Sequence, residues 1–167
     1  VLFRSTGQFN HVDILSGSNQ NEAVFFGPGI QQADAFRDFA GQRFGNSSPD
    51  YLALYPASND AEANASYLQS HTNHLAWQMR KMAQLQASHE QQAWLYFFSR
   101  IAPGQEARGA THVAELHYLF SHPADGLTDT DPAFSDTMAA SWINFDATVN
   151  PQRTRLPAMH DVTNGTT

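Results

Sequence analysis

Six consecutive apolar residues, Ala93-Trp94-Leu95-Tyr96-Phe97-Phe98, four of them aromatic, stand out in an otherwise polar chain. They do not alternate with polar residues, which predicts a strand buried on both faces of a parallel sheet. A core of that kind needs apolar matter, and the chain has it: 41% of its 167 residues are hydrophobic, with 12 Phe, 5 Tyr and 3 Trp. Disorder is excluded on that ground. Nine basic against sixteen acidic residues leave a net charge of −7, which argues against a partner nucleic acid. With no Cys, disulfides, thiolate metal sites and a cysteine nucleophile are ruled out. No apolar run approaches the roughly 18 residues of a membrane span.

The rest of the chain reads as alternating strand and helix. His11 to Ser16 is short and partly β-branched; it predicts a strand that stops at Gly17 and leads into the polar turn Ser18-Asn19-Gln20-Asn21. Ala33, Phe36, Ala40 and Phe44 recur at helical spacing within 30–44. Pro49 opens a short helix that Pro56 ends. A long helix follows, capped by Ser58 or Asp60, with Ala65, Leu68, Thr72, Leu75, Met79, Met82 and Leu85 as its buried stripe and Trp77 in its packing. After the aromatic strand come Ala102-Pro103-Gly104, a polar loop, and a short helix or turn from Glu115 to Phe120. Asp131-Pro132 predicts the start of a last helix carrying Phe134, Met138, Trp142 and Phe145. Strands separated by helices indicate an α/β sheet, but two good strands make only part of one. Val1 to Ser5 resemble translated adapter sequence and are set apart. Residues 6–160 are expected to form part of a domain, and 161–167 a polar tail without a closing element.

In open α/β sheets, reactive groups lie just past the carboxyl ends of strands. Glu22 follows the first strand and His112 follows the second. A carboxylate that fixes an imidazole's tautomer, leaving the other nitrogen to deprotonate a hydroxyl, is two thirds of a hydrolytic triad. Where the order is nucleophile, acid, histidine, an acid at position 22 places the nucleophile upstream of residue 1. The chain itself contains no Gly-x-Ser-x-Gly.

Gly109-Ala110-Thr111-His112-Val113-Ala114-Glu115-Leu116-His117-Tyr118-Leu119-Phe120 resembles the catalytic-histidine motif of type-B carboxylesterases, the family that includes cholinesterases. Leu15 to Glu22 is similar to that family's strand and turn ending in the triad glutamate. Trp94 to Phe98 is similar to the strand before the histidine loop. Trp142-Ile143-Asn144-Phe145, Asn150-Pro151 and Leu156-Pro157 are similar to the stretch after it. The resemblance covers nearly the whole chain and implies the C-terminal portion of an α/β-hydrolase fold, an incomplete domain. It further implies a serine carboxylic-ester hydrolase without cofactor or metal, acting on a small-molecule ester. Glu22 and His112 would be catalytic, with the serine in an N-terminal part of the same enzyme, so that the chain alone is inactive. By the same match Glu115 would be a supporting carboxylate, and Phe25 and Phe26 would line the substrate gorge. Two positions depart from the family pattern: Ala23 where it usually has Gly, and Val113, which can narrow the pocket, where it often has Gly or Ala.

Two other readings stand beside this one. Cholinesterase-like folds also serve as non-catalytic adhesion domains, which the retained Glu22 and His112 weigh against. The histidines offer a metal reading: His71 and His74 on one helix, and His112, His117 and His122 within a short span. Their spacing misses the paired-ligand pattern, and Pro123 breaks the register.

Overall fold

A computed structural model of the chain describes residues 7–121 and 132–152, and the backbone of 160–161. Strands β1 (Ile14–Asn19) and β2 (Ala93–Phe98) pair in parallel, from Ile14 opposite Ala93 to Asn19 opposite Phe98. The short strand β3 (His160–Asp161) pairs antiparallel on the other side of β2, which is therefore central. Between β1 and β2 run a 3-10 helix (Glu22–Phe26) and helices α1 (Ala33–Phe44), α2 (Ser48–Leu54) and α3 (Asp60–Ala87). Helices α4 (Ala114–Leu119) and α5 (Pro132–Thr148) follow β2.

Paired residues of a parallel ladder share a face. Ser16 Oγ donates to Met79 Sδ at 3.2 Å, which places α3 on the face of Ser16 and Leu95. On the opposite face Trp142 of α5 lies against Tyr96, ring centroids 5.0 Å apart, and Tyr118 of α4 against Phe98 at 5.7 Å. The sheet is thus sandwiched between helices, as the strand and helix alternation predicts. One core cluster, Phe98, Ala110, Tyr118 and Met138, lies under the second face; another, around Phe36, Ala57 and Ala63, joins α1, α2 and α3.

Several expectations need correction. The first strand begins at Ile14 rather than His11, because Gln86 of α3 takes the preceding backbone: its Oε1 accepts from Val12 N and its Nε2 donates to Asn10 O. Nor does it stop at Gly17. There the missing side chain admits the Tyr96 ring, and a Cβ would fall 2.4 Å from Tyr96 Cγ, so this glycine marks a close approach within a strand. The cap of α3 is Asn59, whose Oδ1 accepts from Glu62 N at 3.0 Å while Glu62 Oε2 accepts from Ser58 N. That is a capping box displaced by one residue. Asp60 instead accepts from Ala33 N and tethers the start of α1.

Of the expected stripe on α3 only Thr72 is buried. Leu68, Leu75, Met79, Met82 and Leu85 are half-buried and Ala65 is exposed, while Ala63, Ser66, Ser70, Ala83 and Gln86 are buried. Apart from Gln86 these buried positions carry short side chains, and the long apolar ones are only half-covered. Trp77 is 58% exposed beside His74, not packed in the core. Phe97, expected to be buried within the sheet, is 64% exposed because α3 does not cover the end of β2. Asp161, assigned to the tail, lies in β3. Val1 to Ser5, His122, Pro123, Asp131, Leu156-Pro157 and 162–167 lie outside the described residues.

Candidate active site

The parallel pairing brings the carboxyl ends of β1 and β2 side by side, and the chain extends that adjacency beyond the strands. Gln20 N donates to Phe98 O, and Asn21 N to Ala110 O, each at 2.9 Å. Asn21 Oδ1 in turn accepts from Ala110 N at 3.0 Å, and an isolated parallel bridge joins Asn21 to Thr111. This closure requires a glycine: Gly109 has φ +75°, and a Cβ on it would lie 2.1 Å from Asn21 Oδ1. The residues after both splices are Glu22 and His112.

Glu22 opens the 3-10 helix and is 6% exposed. A carboxylate so buried must have its lone pairs used. Oε1 accepts from Asn19 N at 2.7 Å, and Oε2 meets His112 Nδ1 at 2.6 Å. A carboxylate at Nδ1 sets the ring in the tautomer that carries its proton there, which leaves Nε2 as the basic nitrogen. It also stabilises the imidazolium whenever Nε2 takes up a proton. The imidazole itself is partly exposed and lines a cleft of about 220 Å³ with Phe25, Arg108, Val113 and His117.

Phe25 and Phe26 lie against that ring, centroids 5.5 and 5.1 Å away, and are 49% and 65% exposed. They form an apolar wall beside the imidazole and no part of the core. Val113, next to His112, has φ +62°, a conformation costly for a β-branched residue. It serves as the N-cap of α4.

Glu115 does not touch His112. Its Oε2 accepts from Asn19 Nδ2 at 2.5 Å and its Oε1 from Tyr96 OH at 3.4 Å. Burial, and then the neighbouring Glu115 carboxylate, push the Tyr96 hydroxyl well above its ordinary range. Asn19, Asn21 and Tyr96 are the residues that sequence reasoning missed. An asparagine at a strand end reads as turn chemistry, and Tyr96 reads only as core.

His71 Nδ1 bonds Tyr67 O, and His74 Nε2 bonds Gln78. Among the described residues, no three His, Asp or Glu side chains are placed to hold a metal ion. No helix among them is long and apolar enough to cross a membrane.

Among solved structures the chain is similar to a PNB esterase, at 24% identity and TM-score 0.71, over 95% of this chain and 33% of that one. It is also similar to EstA of Aspergillus niger, at 19% identity and TM-score 0.68, over 97% and 36%. A third is an esterase from anaerobic Clostridium hathewayi that can hydrolyse aliphatic aromatic polyesters, at 15% identity and TM-score 0.55, over 90% and 32%. The chain spans about a third of the length of these structures, and the likeness shows part of an α/β-hydrolase fold. No curated protein matches it. The family model for the carboxylesterases matches residues 2–167. With nearly its whole length accounted for by that model, the chain belongs to the carboxylesterase family.

Proposed function

We propose that this chain supplies Glu22 and His112 to a Ser-Glu-His triad that hydrolyses carboxylic esters, the serine coming from the N-terminal part of the complete enzyme. The observation that carries the reading is the 2.6 Å contact between a buried carboxylate oxygen and His112 Nδ1. In that mechanism His112 Nε2 takes the serine proton as the oxygen attacks the ester carbonyl. It then returns the proton to the departing alcohol, and water attacks the acyl-enzyme by the same route. Glu22 keeps the ring in place and stabilises the positive charge that it carries in both steps. Phe25 and Phe26 offer an apolar surface to the substrate beside the reacting carbonyl. Glu115 supports the pair from behind, through Asn19.

The 167-residue chain alone is expected to turn over no measurable ester, since it carries no Gly-x-Ser-x-Gly serine for the imidazole to activate. The experiment is steady-state hydrolysis of a small aryl ester by the complete enzyme. His112→Ala is expected to lower kcat by roughly 10⁴- to 10⁶-fold with KM little changed; an unaltered kcat would refute the triad and favour a site elsewhere.

A further inference from the structure

The amide of Asn19 occupies a place that packing does not explain. The residue ends β1 and is 1% exposed, yet its backbone N–H and side-chain amide together make three polar contacts around the proposed catalytic pair. Its backbone N–H fixes Glu22 Oε1 at 2.7 Å. Its Nδ2 donates to Thr111 O at 2.7 Å, the carbonyl immediately before His112, and to Glu115 Oε2 at 2.5 Å, three residues after it. Both partners of Nδ2 are acceptors, which settles how the amide is turned. The same orientation leaves Oδ1 buried with no donor among the described residues. A buried acceptor without a partner is costly, and an apolar side chain would avoid that cost. What the apolar side chain would lack is the pair of N–H donors. Glu115 is anchored in turn by Tyr96 OH on β2, and the Tyr96 ring is seated over Gly17 of β1.

From this we infer that Asn19 is a positioning residue: one side-chain amide ties the segments on both sides of His112 to the turn that presents Glu22, and so sets the carboxylate–imidazole distance. The inference rests on the triad reading above and adds a residue to it. Loss of the amide leaves the two loops joined at Asn21 and Ala110 but frees the His112 segment to shift against the Glu22 carboxylate. The deficit then falls on the step in which the imidazole is protonated, hence on kcat, while substrate binding is untouched. Asn19→Asp is the sharpest variant, since it keeps the shape but turns both donors into acceptors facing Thr111 O and the Glu115 carboxylate. Adding Glu115→Gln to it restores a donor–acceptor pair with the roles exchanged.

The test measures kcat and KM of the complete enzyme on a small aryl ester, with kcat expressed per serine labelled to completion by an aryl phosphonate. That denominator removes any loss of folded protein. Asn19→Asp is expected to lower kcat about 30-fold, short of the ~10²-fold that a 1 Å misplacement can cost, with KM within about threefold. The double variant Asn19→Asp with Glu115→Gln should regain about fivefold of that loss. Should Asn19→Asp fail to fold, Glu115→Ala decides, and it must lower kcat per labelled serine at unchanged KM. Normal kcat per labelled serine, or no recovery in the double variant, overturns the inference. In parallel, His112→Ala separates the two readings. If it lowers kcat by roughly 10⁴-fold or more while the Asn19 and Glu115 variants do not reduce kcat, the triad stands and the positioning role falls. If it leaves turnover intact, the triad itself has failed.

Discussion

Gly109 is where the two loops of the site are forced together, and replacing it with alanine has a cost that the geometry specifies. Its φ of +75° is left-handed, which costs an L side chain about 1–2 kcal/mol. The new Cβ would also sit 2.1 Å from Asn21 Oδ1, so that amide must swing away. Ala110 N–H then loses the partner it has at 3.0 Å, and a buried donor left unpaired costs a further ~1–3 kcal/mol. Gly109→Ala should therefore destabilise the protein by about 2–5 kcal/mol. Gly104 provides the control, with φ +82° and nothing within 4 Å of the same imagined Cβ. Gly104→Ala should cost only the backbone term, about 1–2 kcal/mol. Urea unfolding of the complete protein, followed by tryptophan fluorescence, reads both. A double-mutant cycle sharpens the comparison: once Asn21→Ala has removed the obstructing amide, Gly109→Ala should cost no more than Gly104→Ala. Equal destabilisation by the two glycine variants in the otherwise native protein would refute the idea that Asn21 and Gly109 lock the loops.

Val113→Gly relieves a left-handed β-branched residue, a strain of about 1–3 kcal/mol, against about 0.5–1 kcal/mol of added chain entropy. The urea midpoint should rise by the equivalent of about 1 kcal/mol; a fall would show that the Val113 side chain is needed for packing. Hydrogen bonds from Ser58 hold the Glu62 carboxyl below its ordinary 4.5. A depressed carboxylate contributes its stability above that value and loses it as pH falls through the lower, folded one. Glu62→Gln should therefore flatten the pH dependence of stability below about pH 4.5 and nowhere else, as acid unfolding curves would record.

What the sequence made legible follows the strength of each signal. The unbroken apolar run of β2 and the spacing of Phe36 and Ala40 on α1 report their secondary structure directly, and both elements are present. Glu22 and His112 stand out in the sequence by their place after strands and by local motif. Boundaries were hidden where a distant side chain replaces the local partner. Gln86 takes the backbone of residues 10–12, Asp60 caps a helix 27 positions earlier, and Tyr96 uses the space over Gly17. Each depends on a long-range contact that no window of sequence contains. Trp77 and Phe97 erred the other way, because apolar character predicts a wish to be buried and not whether a neighbour covers it. Asn19 and Asn21 were illegible for a third reason. Their residue type is ordinary for a turn, and only the register of β1 against β2 turns them toward the histidine loop.

In the proposed triad Glu22 holds His112 by Nδ1, and Glu22→Gln tests that most directly. The amide keeps the shape but offers an N–H where the imidazole N–H now points, which drives the ring proton to Nε2, the nitrogen that must be free to accept one. Measured as kcat per labelled serine in the complete enzyme, the variant should lose about 10³- to 10⁴-fold with KM nearly unchanged. A loss of less than about tenfold would contradict the assignment of Glu22 as the acid of the triad.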